Sequence, residues 1–276
     1  VNPLPQIRIL SLGAGVQSTT LALMAAAGEI GPMPDAAIFA DTGWEPKAVY
    51  DQLAWLQAPG RLPFPIEVVS AGDIKAGILA RRQSSAGRYA AVPWYNTAPD
   101  GSTGIGRRQC SSEYKIAPIM RAARRMLGKG PRDRITVGAV EVWIGISIDE
   151  AARMKPARQR WMTNRWPLIE HNISRAGCLK WMAAQGHPEP PKSSCIGCPF
   201  HSDRAWLTMR EQAPAEFAEA VAVDAALRLG DARGFRAVEY MHDARIPLAE
   251  AVEQAAQSKR DQPDLFQNEC EGICGV

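Results

Sequence analysis

Two separated groups of residues in this chain have types and spacings suited to chemistry. The first is Gly13-Ala14-Gly15-Val16-Gln17-Ser18-Thr19, which follows an apolar run closed by Ser11. Small residues let a backbone turn tightly and aim several N–H groups at one point. Ser18, Thr19 and Thr20 then open a helix, whose N-terminus favours an anion and whose hydroxyls can donate further bonds. Such a loop suits phosphate or sulfate oxygens. No Lys follows it, which excludes the Walker arrangement, and the third glycine of the dinucleotide fingerprint is missing. The second group is Cys195-Ile196-Gly197-Cys198, followed by Pro199, with Cys110 far upstream. A turn of that kind puts two thiolates on one side, as metal sites and redox dithiols require. Taken alone it is compatible with an iron–sulfur cluster, zinc, a redox pair or plain buried thiols.

Cys110 sits in Arg107-Arg108-Gln109-Cys110-Ser111-Ser112-Glu113-Tyr114-Lys115, just before a helical stretch. A positive flank and a helix N-terminus both stabilise a thiolate, which suits a ligand or a nucleophile. Cys270 and Cys274 lie in a short polar tail, where a further ligand or a swinging nucleophile could sit. Cys178 falls among Ala176, Leu179 and Trp181 and reads as a core thiol. Asp41-Thr42-Gly43 closes a second apolar run. Asp41 is placed there for ribose, Mg²⁺ or the incoming substrate, or as a helix cap. The four histidines show no zinc-type HxxxH spacing, and His201, three after Cys198, reads as a capping or surface residue, with a ligand or ligand-supporting donor as the alternative.

The elements that must position these residues follow from the pattern. Residues 7–10, 36–40 and 66–69 are short buried-strand candidates, and 18–27, 46–56 and 74–82 are helical. This β-α alternation predicts parallel strands joined by right-handed crossovers. The expected fold is a parallel twisted α/β sheet with helices on both faces and a helical C-terminal part. Residues 83–108 are too long and too rich in Gly, Ser and Pro for a routine connection and read as a functional loop or lid. Further helices are expected over 115–127, 175–185 and 202–229, the last with a break near Pro214, and a strand over 137–146. Residues 1–200 form the expected nucleotide-binding part with the cysteine site, and 201–276 the helical part and tail, in one continuous domain.

Composition sets bounds on function. With 276 residues, 46% hydrophobic and 22% charged, the chain has ordinary globular proportions. A net charge of +3 does not by itself argue for nucleic acid or an anionic membrane, although Arg81-Arg82, Arg107-Arg108 and Arg124-Arg125 cluster in the first half. No apolar stretch reaches the ~18 residues of a membrane span, and no secretion signal is expected. Six unevenly spaced cysteines do not read as a disulfide scaffold. A reducing cytoplasm is expected, with clustered thiols acting as ligands or catalysts.

Seven segments, in order, resemble the phosphoadenosine phosphosulfate reductase family of the PP-loop adenine nucleotide α-hydrolase superfamily. GAGVQS at 13–18 resembles its SGGxDS phosphate loop, and DTGWEP at 41–46 its DTGxxFPE segment. QCSSEYKIAPI at 109–119 resembles its Cys-containing segment followed by Lys and Pro-Leu. GISIDEAAR at 145–153 is similar to GxRxDES…R, and RWPLIEH at 165–171 to its apolar Pro-Leu segment. CIGCPF at 195–200 resembles the CxxC half of the cluster site in iron–sulfur members, and NECEGIC at 268–274 the nucleophile-bearing tail.

The resemblance implies a 4Fe–4S cluster held by Cys110, Cys195 and Cys198. Ser111 replaces a second adjacent cysteine, which leaves either an open iron or a fourth ligand from the tail, Cys274 or Cys270; with Cys274 as that ligand, Cys270 is the nucleophile. Gln17 replaces the Asp usual in ATP-using members, and Ser147 stands where the family often has Arg. Residues 13–18 with Thr19 would hold phosphate or sulfate, and the adenine would lie near Phe39 and Asp41. Arg107, Arg108 and Lys115 would offset charge on the leaving group. Three functions follow as alternatives. One is reduction of a sulfonucleotide, with a thioredoxin-like electron donor. The second is ATP-dependent thiolation of a nucleic acid or small molecule. The third is a non-catalytic zinc and nucleotide binder.

Overall fold

A computed structural model of the chain describes residues 4–83, 92–229, 234 and 236–258. Its centre is a five-stranded parallel sheet built from β1 (Ile7–Leu12), β2 (Ala36–Asp41), β3 (Ile66–Ser70), β6 (Val140–Ile144) and β7 (Met162–Arg165). The spatial order is β3-β2-β1-β6-β7. The chain therefore winds outward from β1 to β3 and then restarts on the other side of β1. In such sheets the crevice at the carboxyl ends, where the order reverses, is where ligands bind.

Strand composition explains the burial. β2 is almost wholly apolar, as a central parallel strand covered on both faces must be. Side chains alternate between faces. Leu10, Leu12, Ala37, Phe39 and Trp143 face one cluster with α1 (Val16–Ala26), α2 (Lys47–Leu56) and α6 (Arg175–Ala184). Ile9, Ile38, Ala40, Val140, Val142 and Ile144 face the other, against α4 (Ala117–Met126). Cys178 is fully buried in the first cluster, so it is a core thiol.

A third cluster joins the C-terminal helices to the sheet half. Trp206 of α7 (Asp203–Gln212), Val223 of α8 (Pro214–Leu227) and Val252 of α9 (Leu248–Ser258) pack with Trp44, Ile74 of α3 (Ile74–Gln83) and Ile196. The fold is thus a parallel α/β sheet flanked by helices with a helical C-terminal region. No helix among the described residues is long and apolar enough to cross a membrane.

Several elements differ from the sequence expectation. The long segment before Arg108 contains a hairpin, β4 (Tyr95–Thr97) and β5 (Thr103–Ile105), and β8 (Val238–Tyr240) adds to β4 to complete a small antiparallel sheet. These three-residue strands are too short to show alternation, and pairing distant in sequence creates them. β7 (MTNR) was also unforeseen. It is short and polar, and its register with β6 defines it. The helix expected from 115 begins earlier, with a π-helical turn over Ser111–Ile116 whose i→i+5 bond runs from Ala117 N to Ser112 O. A short α5 (Pro167–Glu170) and a 3₁₀ turn (Ile148–Arg153) complete the carboxyl edge.

Candidate functional site

The loop after β1 sits at the switch point between β1 and β6. Ala14 adopts a left-handed conformation (φ 54°), and Gly15 then caps α1. The Gly13 N–H donates to Ser18 Oγ at 3.2 Å, and Ser18 Oγ reaches Gly15 O at 3.5 Å. The Thr19 N–H donates to Gly15 O at 3.0 Å, which leaves the amides of Val16–Ser18 in the open first turn. Those amides and the helix dipole form an anion-favouring end. Ser11 is buried in β1, paired with Ile38 and Ile144, and the Thr19 hydroxyl is buried without a partner. Gly145, just after β6, allows the two strand ends to approach. A Cβ there would lie 2.8 Å from Ser18 N.

Gln17 is fully buried and forms a polar hub beneath the loop. Its Nε2 donates to Ser147 Oγ (3.4 Å) and Glu150 Oε2 (3.3 Å), while Arg175 Nη1 donates to its Oε1 at 2.9 Å. Arg153 Nη1 holds the other Glu150 oxygen at 2.5 Å. Burial pushes the Glu150 carboxyl above its ordinary value, and Arg153 opposes that shift. The Gln17 side chain is therefore committed to tying α1 to the β6 edge.

The second loop leaves β2 beside it. Asp41 Oδ1 accepts the Gly43 N–H and the Tyr50 hydroxyl, both at 2.8 Å, so the carboxylate caps its own turn. Burial, reinforced by the Asp41 hydrogen bond, holds the Tyr50 phenol above its ordinary value. Gly43 (φ 72°) passes so close to Asp73 that a Cβ would lie 2.9 Å from its Cα. Thr42 is buried, and the Phe39 side chain lies in the sheet core.

Cys110, Cys195 and Cys198 line one pocket with Thr42, Trp44, Ser111 and Lys115. Thr42 directly follows β2 and the phosphate-type loop directly follows β1, and these strands are hydrogen-bonded neighbours. The pocket therefore opens on the same carboxyl edge as the loop. Ile196 N donates to Trp44 O and Cys198 N to Cys195 O, both at 3.0 Å, which fixes the CxxC turn against the second loop. His201 Nε2 lies 3.1 Å from Cys195 O, and its ring packs edge-on against Trp206 with centroids 4.6 Å apart.

Glu45, which sequence reasoning passed over, is the electrostatic centre of this pocket. It is 4% exposed. Its Oε1 accepts from the Thr42 hydroxyl (2.9 Å), Lys115 Nζ (3.3 Å) and the Cys195 thiol (3.6 Å). Thr42 Oγ1 is also 3.4 Å from Cys195 Sγ. The only signal was its place four residues after Asp41. Trp44 Nε1 donates to Glu219 of α8 at 2.5 Å.

The remaining candidates are dispersed. Arg107 is exposed, and Arg108 stacks its guanidinium 4.9 Å from the Phe200 ring. Cys270 and Cys274 lie outside the described residues. Among the described residues, the one group of three His, Cys, Asp or Glu ligand atoms all within 4.8 Å of one another is Asp203, His242 and Asp243. The three pocket sulfurs therefore do not all lie within 4.8 Å of one another, so at least one of their separations exceeds the ~3.8 Å edge of a tetrahedral zinc–thiolate site with its ~2.3 Å bonds.

No family model matches this chain, and no curated protein does. Among solved structures it is similar to a crystal structure of phosphoadenylyl-sulfate (PAPS) reductase from Candida auris, a phosphate complex. The TM-score is 0.41 and the identity 14%, over 68% of this chain and 76% of the other.

Proposed function

We propose that this chain is a phosphoadenosine phosphosulfate reductase-like enzyme of the PP-loop type that binds an adenine nucleotide and an iron–sulfur cluster and reduces a sulfonucleotide. The observation that carries this reading is the single pocket lined by Cys110, Cys195, Cys198 and Lys115 beside the loop after β1. Its donors are soft thiols and its other walls are mostly apolar, with the Lys115 cation paired to the Glu45 carboxylate beside Cys195. That donor set fits a cluster held by three thiolates. Bound there, the cluster would supply a polarisable, redox-active iron–sulfide centre.

The chain's own groups have separate tasks in this reading. Amides of residues 13–18 and the Ser18 hydroxyl bind phosphate or sulfate oxygens. Lys115 offsets charge developing on the leaving phosphate. A tail thiolate, Cys270 or Cys274, attacks the sulfur and forms a thiosulfonate as the S–O bond breaks and its electron pair leaves with the nucleotide. A dithiol of the thioredoxin type then releases sulfite and is itself oxidised.

A second reading is ATP-dependent thiolation, and Ser111 favours it. This hydroxyl lies in the pocket where a fourth thiol would otherwise be expected, so the described residues offer three thiols. ATP would adenylate an acceptor oxygen with release of pyrophosphate, and a sulfur nucleophile would displace AMP.

An anaerobic assay of the reconstituted protein separates the two. Sulfite from a sulfonucleotide, lost in Cys270→Ser or Cys274→Ser while nucleotide binding persists, is the result expected for reduction. Pyrophosphate from ATP that depends on an acceptor, without sulfite, would replace it with thiolation.

A further inference from the structure

We propose that the α4 face of the sheet is a docking surface for the phosphate backbone of a double-stranded nucleic acid. This goes beyond the reductase reading and does not rest on it. Residues 117–160 carry ten Lys and Arg against four Asp and Glu, a surplus larger than the +3 of the whole chain. The fold gathers these cations on one side. Ile119, Ala122 and Ala123 of α4 pack in the same cluster as Ile135, Ala157 and Trp161. The loop after α4 and the segment before β7 are therefore anchored to a single face of the sheet.

Arg124 ties the three segments together. Its guanidinium donates to Gly130 O and Asp133 O, and it lies 5.7 Å from the Trp161 ring. Gly138 N donates to Arg160 O at 3.0 Å, which joins the two loops directly. Around this anchor stand Arg121 on α4, Lys129, Arg132 and Arg134 after it, and Lys155, Arg158 and Arg160 before β7. All seven are exposed. Among the described residues none of the seven forms an ion pair.

The acidic groups of this region are otherwise engaged. Asp133 caps the Gly130 N–H at 2.7 Å, and Glu67 pairs with Arg125. Glu141 belongs to the opposite face of β6, where it lies 3.7 Å from Arg8. Asp149 accepts from Arg175 N, and Glu150 is paired with Arg153. The Arg124-Arg125 pair that the sequence singles out is therefore already partnered, and the uncommitted charge lies on its neighbours.

Two features choose the partner. Five of the seven cations are Arg, whose planar fork matches phosphate better than the Lys ammonium. Among the described residues this face presents no exposed aromatic ring: Trp161 is 8% exposed, and Trp166 is partly buried in the same cluster. Unpaired bases need such rings for stacking, whereas a duplex is held through its phosphates. α4 starts beside the cysteine pocket and spans about 15 Å at 1.5 Å per residue, less than a duplex diameter. A bound duplex would thus reach past the helix toward the pocket.

The test uses the full chain and fluorescence anisotropy with a 20-base-pair DNA duplex and an RNA duplex of the same sequence, from low to physiological salt. Arg132→Gln, Arg134→Gln, Arg158→Gln and Arg160→Gln are combined in one variant, and Lys180→Gln with Arg204→Gln is the control from other faces. Thermal melting confirms that both variants fold. Neutralising phosphates releases counterions with a slope of about −0.9 per contact. The combined variant should reduce the magnitude of the log–log salt slope by roughly 3.6 and weaken binding at least tenfold, while the control stays within about twofold. The tighter duplex identifies the natural form. The proposal is overturned by no duplex binding, by equal losses in both variants, or by binding to phosphatidylserine vesicles without binding to either duplex.

Discussion

Gly197 and the Trp44 indole are in direct contact: a Cβ on Gly197 would lie 2.0 Å from Cη2 of the ring. The CxxC turn therefore rests on the loop that follows β2, and Trp44 is in turn fixed by Glu219 of α8. Gly197→Ala has no soft neighbour to displace. It should cost roughly 1–3 kcal/mol through overpacking. Urea denaturation measures that cost, and iron content should fall with it because both cysteines of the turn must shift. A variant with wild-type stability and iron content would show that the contact has no consequence.

Glu45 and Lys115 form a buried pair beside Cys195, with side chains 3% and 12% exposed. Removing one partner leaves an uncompensated charge. Glu45→Ala should destabilise the protein by about 3–5 kcal/mol. Glu45→Ala/Lys115→Met should recover a good part of that loss in a double-mutant cycle. Additive losses would mean that the two groups do not interact.

Gly145 keeps the end of β6 against the first turn of α1. Gly145→Ala would place a methyl group 2.8 Å from Ser18 N. We expect a stability loss of roughly 1–3 kcal/mol and weaker nucleotide binding by calorimetry, because the amides of the loop are pushed aside. Nucleotide affinity equal to wild type would remove the loop from the site.

His242 gives the fold a pH dependence. Burial pushes its pKa down, but the Asp243 and Asp203 carboxylates on its two ring nitrogens outweigh burial, and the net shift is upward from 6.5. A raised pKa in the folded state contributes stability that is complete below pH 6.5 and lost as pH rises through the folded value. Stability should therefore fall above pH 6.5 in the wild type. In His242→Asn that fall should be smaller, as denaturation at several pH values would show.

The sheet was legible because its strands are short apolar runs between helical stretches, and because the loops that end β1 and β2 announce themselves by small residues. Cys110 and the 195/198 pair were legible by residue type, and Cys178 by its apolar neighbours. Glu45 was not, since its importance arises from Lys115 and Cys195, 70 and 150 positions away. The hydrogen bonds of the Gln17 amide to Ser147, Glu150 and Arg175 were not legible either. Those partners gather only when β6 pairs with β1. The small sheet of β4, β5 and β8 escaped for the same reason, because its strands are defined by partners and not by their own pattern.

The most direct measurement is iron, acid-labile sulfide and zinc analysis, with visible absorption, on protein purified anaerobically. Wild type should carry roughly four irons and four sulfides per chain with a broad absorption near the visible edge, and Cys110→Ser, Cys195→Ser and Cys198→Ser should each lose both. Zinc without iron in the wild type, or a full iron complement in all three variants, would contradict the account.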